Sequence, residues 1–260
     1  MLGLTTDTFK RPVSLEDKDD PAVLYAESYL VIRTVVGVIG ILLPIILIIA
    51  EAFFLKGSVH VRGSLSAYYH SSVQDIFVGS LCVIGFLLIT YMAGIPKTWD
   101  FWLSSIAGVA VLVVVFFPTW RPGVPHGAPL CGSNPAPSGC SPIEQALGEA
   151  ATARIHAIAA AVFILSLAVI SFLFAHREKK YNHSSLRKRI HIFSGVAILV
   201  AVAWVIIGGA LKINIWTLTP LYIGEIISVW AFGVSWLLQG KDLGRMLRHP
   251  FSGTLPSEQG

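Results

Sequence analysis

Two histidines and two carboxylates define the chemistry this chain could carry. His70 and His156 supply imidazoles, which titrate near neutrality and are the commonest metal ligands, while Asp75 and Glu225 supply carboxylates. Two histidines with one carboxylate match the ligand number of a catalytic zinc site that keeps a position open for water. A zinc ion held by His70, His156 and Asp75 would lower the pKa of that water and permit hydrolysis of an amide or ester, with His70, Asp75 and Glu225 as the candidate catalytic groups. Without metal, the same groups suit a binding or transport site in which Glu225 and His156 exchange protons. No HxxxH, HExxH or CxxC accompanies them, so the residues leave both readings open.

Groups suited to holding a substrate surround these four. Arg62, Ser66 and Tyr68 precede His70 in the segment VRGSLSAYYHSSVQDIFVG, Arg154 precedes His156, and Tyr222 precedes Glu225. An arginine at either place could hold a headgroup phosphate. Each residue also has a plainer reading. Ser72-Val73-Gln74-Asp75 fits a capping box with Asp75 at the positive end of a helix. Tyr68, Tyr69, Trp120 and Trp216 suit an aromatic belt at a membrane interface. Arg154 suits a carboxylate or a lipid phosphate, and Glu225 an ion pair with Arg154 or His156. His191 stands alone.

What must position these groups is a set of apolar helices. The 260 residues are 54% hydrophobic and only 13% charged, with mean hydropathy +0.70, too little polar surface to clothe a water-soluble fold. Six runs reach the length of about 20 residues that spans a bilayer. They are 30–54, 75–93, 101–117, 155–175, 190–211 and 218–238, the third being the shortest. The expected fold is therefore all-α, a six-span bundle over 30–238, with an N-terminal segment 1–29 and a tail 239–260. Of the 19 Lys and Arg, only Lys56, Arg62, Arg121, Arg154 and Lys212 fall on one side; the rest fall on the side of both termini, which the positive-inside rule makes cytoplasmic. The acidic stretch Glu16–Asp20 is unlike a signal-peptide n-region, so the first span is expected to be its own insertion signal.

Cysteine usage supports that orientation. Cys131 and Cys140 lie in the outward loop 118–151, where a disulfide would persist, whereas Cys82 reads as a small packing residue inside the second span. Ser141-Pro142-Ile143-Glu144 announces the start of the fourth helix, which would run about 50 Å to Ala175 with Gly148 as a place to bend. Thr219-Pro220 opens the sixth span and puts Glu225 about 7 Å below its outer end, beside a small-residue stripe of Gly224, Ser228, Ala231 and Ser235 that suits close helix packing. Antiparallel spans bring His70, Asp75, Arg154, His156 and Glu225 to one membrane depth. No Walker A loop, GxGxxG, GxSxG elbow or internal repeat is present, which argues against ATP-driven and dinucleotide chemistry. The net charge of +4 needs no nucleic acid, because the basic residues sit where anionic lipid would attract them.

The segments SLSAYYHSSVQDIFVGSLCVIGFLL, AGVAVLVVVFFPT and VWAFGVSWLLQG together resemble an uncharacterised family of bacterial multi-pass inner-membrane proteins, over about residues 60–240. That resemblance implies a bacterial inner membrane and no activity. Ser66-Ala67-Tyr68-Tyr69-His70 is also similar to the SxxxH element of the ceramidase and progestin-receptor-like hydrolase superfamily, whose seven-helix members hold zinc with three histidines beside a Ser and an Asp. It implies roles for Ser66, His70 and Asp75, although this chain has six runs, no terminal HxxxH, and an Asp only five residues after the His. Three functions are thus expected in turn: a membrane protein that binds or transports a lipid or small solute at an outward polar site, a metal-dependent lipid hydrolase, or an accessory subunit that meets a membrane-complex partner or a second copy through the sixth span.

Overall fold

The computed structural model describes residues 21–57, 61–90, 98–125, 127–180, 185–213, 215 and 218–248; for 21–29, 180 and 240–248 only the backbone course is described. Seven α-helices are present among them: α1 (Pro21–Phe54), α2 (Gln74–Thr90), α3 (Trp99–Phe116), α4 (Pro142–Leu147), α5 (Glu149–Lys180), α6 (Ser185–Ala210) and α7 (Pro220–Arg248). A 3-10 turn covers Ser66–His70, and no strand occurs among the described residues beyond a lone bridge between Ile215 and Leu218. The fold is all-helical, as expected.

Five helices are long and apolar enough to cross a membrane, within α1, α3, α5, α6 and α7. The third run, α3, is among them despite its length of 18 residues. The second expected span is realised as α2, apolar but only 17 residues long as far as Thr90. Its expected end at 91–93, the belt residue Trp216 and most of the two tails lie outside the described residues. Helices overrun the expected limits at both ends of the chain, since α1 begins at Pro21 and α7 continues to Arg248.

The long helices pack in the cyclic order α1, α7, α6, α5, α3, α2, with α2 returning to α1. Leu47, Phe77, Leu88, Val111, Leu167, Phe174, Ile198 and Trp236 fill the centre. The outside is just as apolar: Phe53, Phe86, Ile158, Phe193 and Ile206 are all exposed. Hydrocarbon solvates such a surface at no cost, whereas water would not. One end of the bundle carries the Cys131–Cys140 loop and is called the disulfide end; the other is the terminal end.

Close packing of apolar helices in lipid depends on small residues. At the α2–α3 contact, a Cβ on Gly108 would come within 2.6 Å of the Gly85 carbonyl oxygen. Gly108→Val should therefore force α2 and α3 apart, at about 1–3 kcal/mol, read as earlier unfolding in detergent. The expected stripe on α7 packs in the same way. Gly224 sits against the Ala201 carbonyl of α6, and Ser228 and Ser235 are buried. Its occupant is thus α6 of the same chain. Inside α1, Pro44 interrupts the backbone ladder, and the neighbouring Ile41 carbonyl accepts the Trp230 indole N–H at 3.0 Å. Trp230→Phe should cost about 1 kcal/mol in the same assay.

The long fourth helix is not continuous. Gly148 adopts φ +85°, ψ 144°, a conformation open essentially to glycine alone, and divides it into α4 and α5. The expected cap at Ser141 is present: its hydroxyl accepts from the Glu144 amide, while the Glu144 carboxylate accepts from the Ser141 amide at 2.7 Å. The expected Cys131–Cys140 disulfide also forms. Gly148→Ala would force the break into an ill-suited conformation, with an expected loss of about 1–3 kcal/mol in thermal unfolding.

Candidate functional site

The site is assembled at the disulfide end from α1, the 3-10 turn and α7. Thr219 starts α7 as expected: its hydroxyl donates to the Gly63 carbonyl and accepts the Tyr222 amide at 3.1 Å, clamping the chain before the 3-10 turn onto α7. Glu225 lies beneath that clamp. Its Oε2 accepts the Leu65 amide at 2.6 Å, and the Ser66 hydroxyl hydrogen-bonds the same carboxylate. Neither Arg154 nor His156 pairs with it among the described ion pairs, so the expected partners give way to the backbone of the 3-10 turn.

Beside Glu225 stand Tyr222 and Tyr68, both buried, whose hydroxyls face each other without an ordinary hydrogen bond. Burial first, and then the Glu51 carboxylate, push the Tyr68 phenol above its ordinary pKa. Tyr68 is therefore enclosed and is no belt residue; Trp120, 48% exposed, suits that role. Over the Tyr68 ring lies the Arg62 guanidinium, 5.9 Å from its centre, and Arg62 Nε donates to Glu51 Oε1 at 2.8 Å. Glu51 is buried, and its second oxygen has no hydrogen-bond partner among the described residues. Thus Arg62 and Tyr68 gather around a carboxylate that was not singled out in the sequence, while Tyr222 links Tyr68 to the Glu225 carboxylate held by Leu65 and Ser66. The available signal was an ionisable residue inside the first apolar run, which is expensive unless paired.

Sharing Arg62 with this network, an open cleft of about 600 Å³ is lined also by Tyr69, His70, Gln74, Arg121 and Ser141, among others. His70 Nε2 donates to the Thr119 carbonyl at 2.8 Å and stands 3.8 Å from the buried Glu144 Oε1. Burial raises the Tyr69 phenol pKa. Arg121 closes the far wall. Its side chain donates to Glu149 Oε2, to Ser138 and to Pro129, while its own amide and that of Cys131 also donate to Glu149. Glu149 thereby ties the disulfide loop to the start of α5.

The remaining candidates lie apart from this network. His156 is buried, its Nδ1–H directed at the carbonyls of Val114 and Phe117 at 3.1 and 2.7 Å, so the ring caps the last turn of α3. Asp75 is exposed in the first turn of α2, and Ser71 rather than Ser72 accepts the Val73 amide there. Arg154 is exposed and folds back onto its own Ala150 carbonyl at 3.1 Å. Among the described residues no three His, Cys, Asp or Glu side chains group in a way that could hold a metal, so His70, His156 and Asp75 do not form the zinc set considered above. Nor do Ser66, His70 and Asp75 face a common point: Ser66 serves Glu225, His70 serves Thr119, and Asp75 is exposed.

A second polar cluster, also unforeseen, occupies the terminal end. His191 is fully buried rather than isolated, hydrogen-bonded through Nδ1 to Ser235 Oγ at 2.8 Å and packed edge-on to Phe174. Arg33 of α1 lies 5.2 Å over Phe174 and 5.5 Å over Trp236, and Glu178 is buried nearby on α5. Asp100 of α3 pairs with Arg177 of α5 at the same end. Comparison with protein-family models, curated proteins and solved structures finds no match to this chain.

Proposed function

We propose that this is a six-span membrane protein whose disulfide end faces outward and whose polar network there binds or transports a lipid headgroup or small solute. Six spans count α2 among them, its 17 residues standing at the lower end of the ~17–25 that cross a bilayer; both termini are then cytoplasmic, in keeping with the charge asymmetry. A bacterial inner membrane is the setting that the family resemblance implies.

The observation that carries the functional reading is the set of buried oxygens that Arg62 links to the cleft. Among the described residues Glu51 Oε2 accepts no hydrogen bond and the Tyr68 and Tyr222 hydroxyls have only each other, and an unpaired buried polar group costs about 1–3 kcal/mol. A solute carrying hydrogen-bond donors removes that cost when it enters from the cleft. Arg62 stands at the junction, lining the cleft while paired with Glu51, so it orients whatever enters. Glu225 offers a carboxylate that can take up or release a proton as the solute binds. An accessory-subunit role is less supported, because α6 already covers the α7 stripe.

The test is a thermal-shift screen of the purified protein in mild detergent against small polar solutes and soluble headgroup analogues between pH 5 and 8. A true ligand should raise the unfolding midpoint by several degrees in a pH-dependent way, and Glu225→Gln should abolish that dependence. A panel that shifts wild type and Glu225→Gln equally at every pH would remove Glu225 from the function. Metal analysis of the same preparation tests the hydrolase reading: about one zinc per chain, lost in His70→Ala, would restore it.

A further inference from the structure

Away from the cleft, α3 and α5 leave a groove on the outside of the bundle. Its floor is formed by Ala110 and Ala159, whose small buried side chains let the flanking residues stand up as walls. Ile106 and Val109 of α3 and Ile158 and Val162 of α5 make those walls, all of them exposed. The groove is open to the outside and its volume is about 550 Å³, within the range of ~300–1,000 Å³ typical of ligand pockets. Along α3 the groove runs from Trp102 to Val113, about 16 Å at ~1.5 Å per residue. On the 18-residue α3 this stretch begins about one turn inside the disulfide end and, at ~1.5 Å per residue, reaches past the middle of a ~30 Å hydrocarbon core.

A cation stands at one end of this trough. Arg154 lies one turn before Ile158 on the same side of α5, and helical side chains tilt toward the helix N-terminus, here the disulfide end. Its level follows from His156, which hydrogen-bonds the carbonyls of the last turn of α3. Arg154 is about 3 Å further out at ~1.5 Å per residue, beyond the apolar stretch and at the height expected of headgroups. It is exposed, and among the described residues no carboxylate pairs with it. Arg62 and Arg121, at the same end, both have carboxylate partners.

We propose that the α3–α5 groove and Arg154 form a binding site for one phospholipid of the leaflet at the disulfide end, with an acyl chain in the trough and the phosphate on the Arg154 guanidinium. General lipid coverage of a helix surface needs neither a trough nor a cation. Here both occur, the cation one turn before the trough's Ile158 on α5. Guanidinium–phosphate contact is a charge-assisted, often bidentate interaction, which favours a phosphate over an uncharged headgroup. A helix of another protein could also fill the trough, but would not depend on Arg154.

The experiment is native mass spectrometry of the full chain in mild detergent with added phosphatidylglycerol, or with diacylglycerol bearing the same acyl chains. Wild type should retain one phosphatidylglycerol per chain, at least about tenfold in preference to diacylglycerol. Arg154→Gln should lower that retention about tenfold. So should Ile158→Trp, which fills the groove from an exposed position and carries little folding risk. Phe193→Trp, at an exposed position of α6 outside the groove, should leave retention unchanged, so a specific site in the groove is distinguishable from general lipid coverage. Equal retention by wild type and Arg154→Gln, or of the two lipids, would overturn the proposal. A dimer or captured helix lost in Ile158→Trp but not in Arg154→Gln would overturn it in favour of a protein partner.

Discussion

Arg62→Gln should destabilise the protein by about 3 kcal/mol, and adding Glu51→Gln should recover most of the loss. The single substitution removes the ion-pair partner that Glu51, a carboxylate with 1% side-chain exposure, has among the described residues. Breaking a buried pair by removing one member costs about 3–5 kcal/mol, and the lower end applies because the Arg62 side chain keeps 21% exposure to solvent. Two neutral amides in place of the pair leave no stranded charge. The measurement is a denaturation series in detergent, read as a double-mutant cycle. Similar losses for the single and double variants would show that Glu51 is hydrated or paired otherwise, and would weaken the site built around it.

The second large effect is expected at Glu149. Four donors converge on this carboxylate: the Arg121 amide, its Nε and Nη2, and the Cys131 amide. Glu149→Ala leaves the Arg121 side chain, 11% exposed, without its counter-charge, and leaves two backbone amides without acceptors. A loss of about 3–5 kcal/mol follows from the ion pair. Its distribution within the molecule is the informative part. Hydrogen exchange should rise in residues 121–141 and in the first turn of α5 while the centre of the bundle stays protected, because the carboxylate joins the loop to the helix and touches nothing deeper. Uniform loss of protection would mean instead that the loop and the bundle unfold as one unit.

The helical spans were legible because hydrophobic length is a collective signal that no single residue can hide. So was the Ser141 cap, whose four residues interact with one another locally; of the set expected to meet at one depth, Glu225 joins the first outer loop, while His70, Arg154 and His156 take backbone partners of their own and Asp75 is exposed. What escaped the reading depends on partners brought in by tertiary contact. Glu51 sits in an apolar run and its guanidinium comes from the following loop; Arg33 sits in the same run and its enclosure comes from α5 and α7. His156 could not be told from a ligand until the α3 carbonyls were seen beside its ring. Gly148 permits a break or a bend equally, and the loop interactions through Glu149 decide for the break.

The enclosure of Arg33 has a consequence for the order in which the molecule can be made. Phe174 and Trp236 belong to the fifth and seventh helices, yet the guanidinium they cover enters the bilayer with the first. A ribosome delivers those rings about 140 and 200 residues later, tens of seconds at an elongation rate of ~5–20 residues per second at the slower end. Throughout that interval Arg33 must reach for the headgroups on its own side of the bilayer, holding the first helix at a fixed depth until the last one arrives to close the ring.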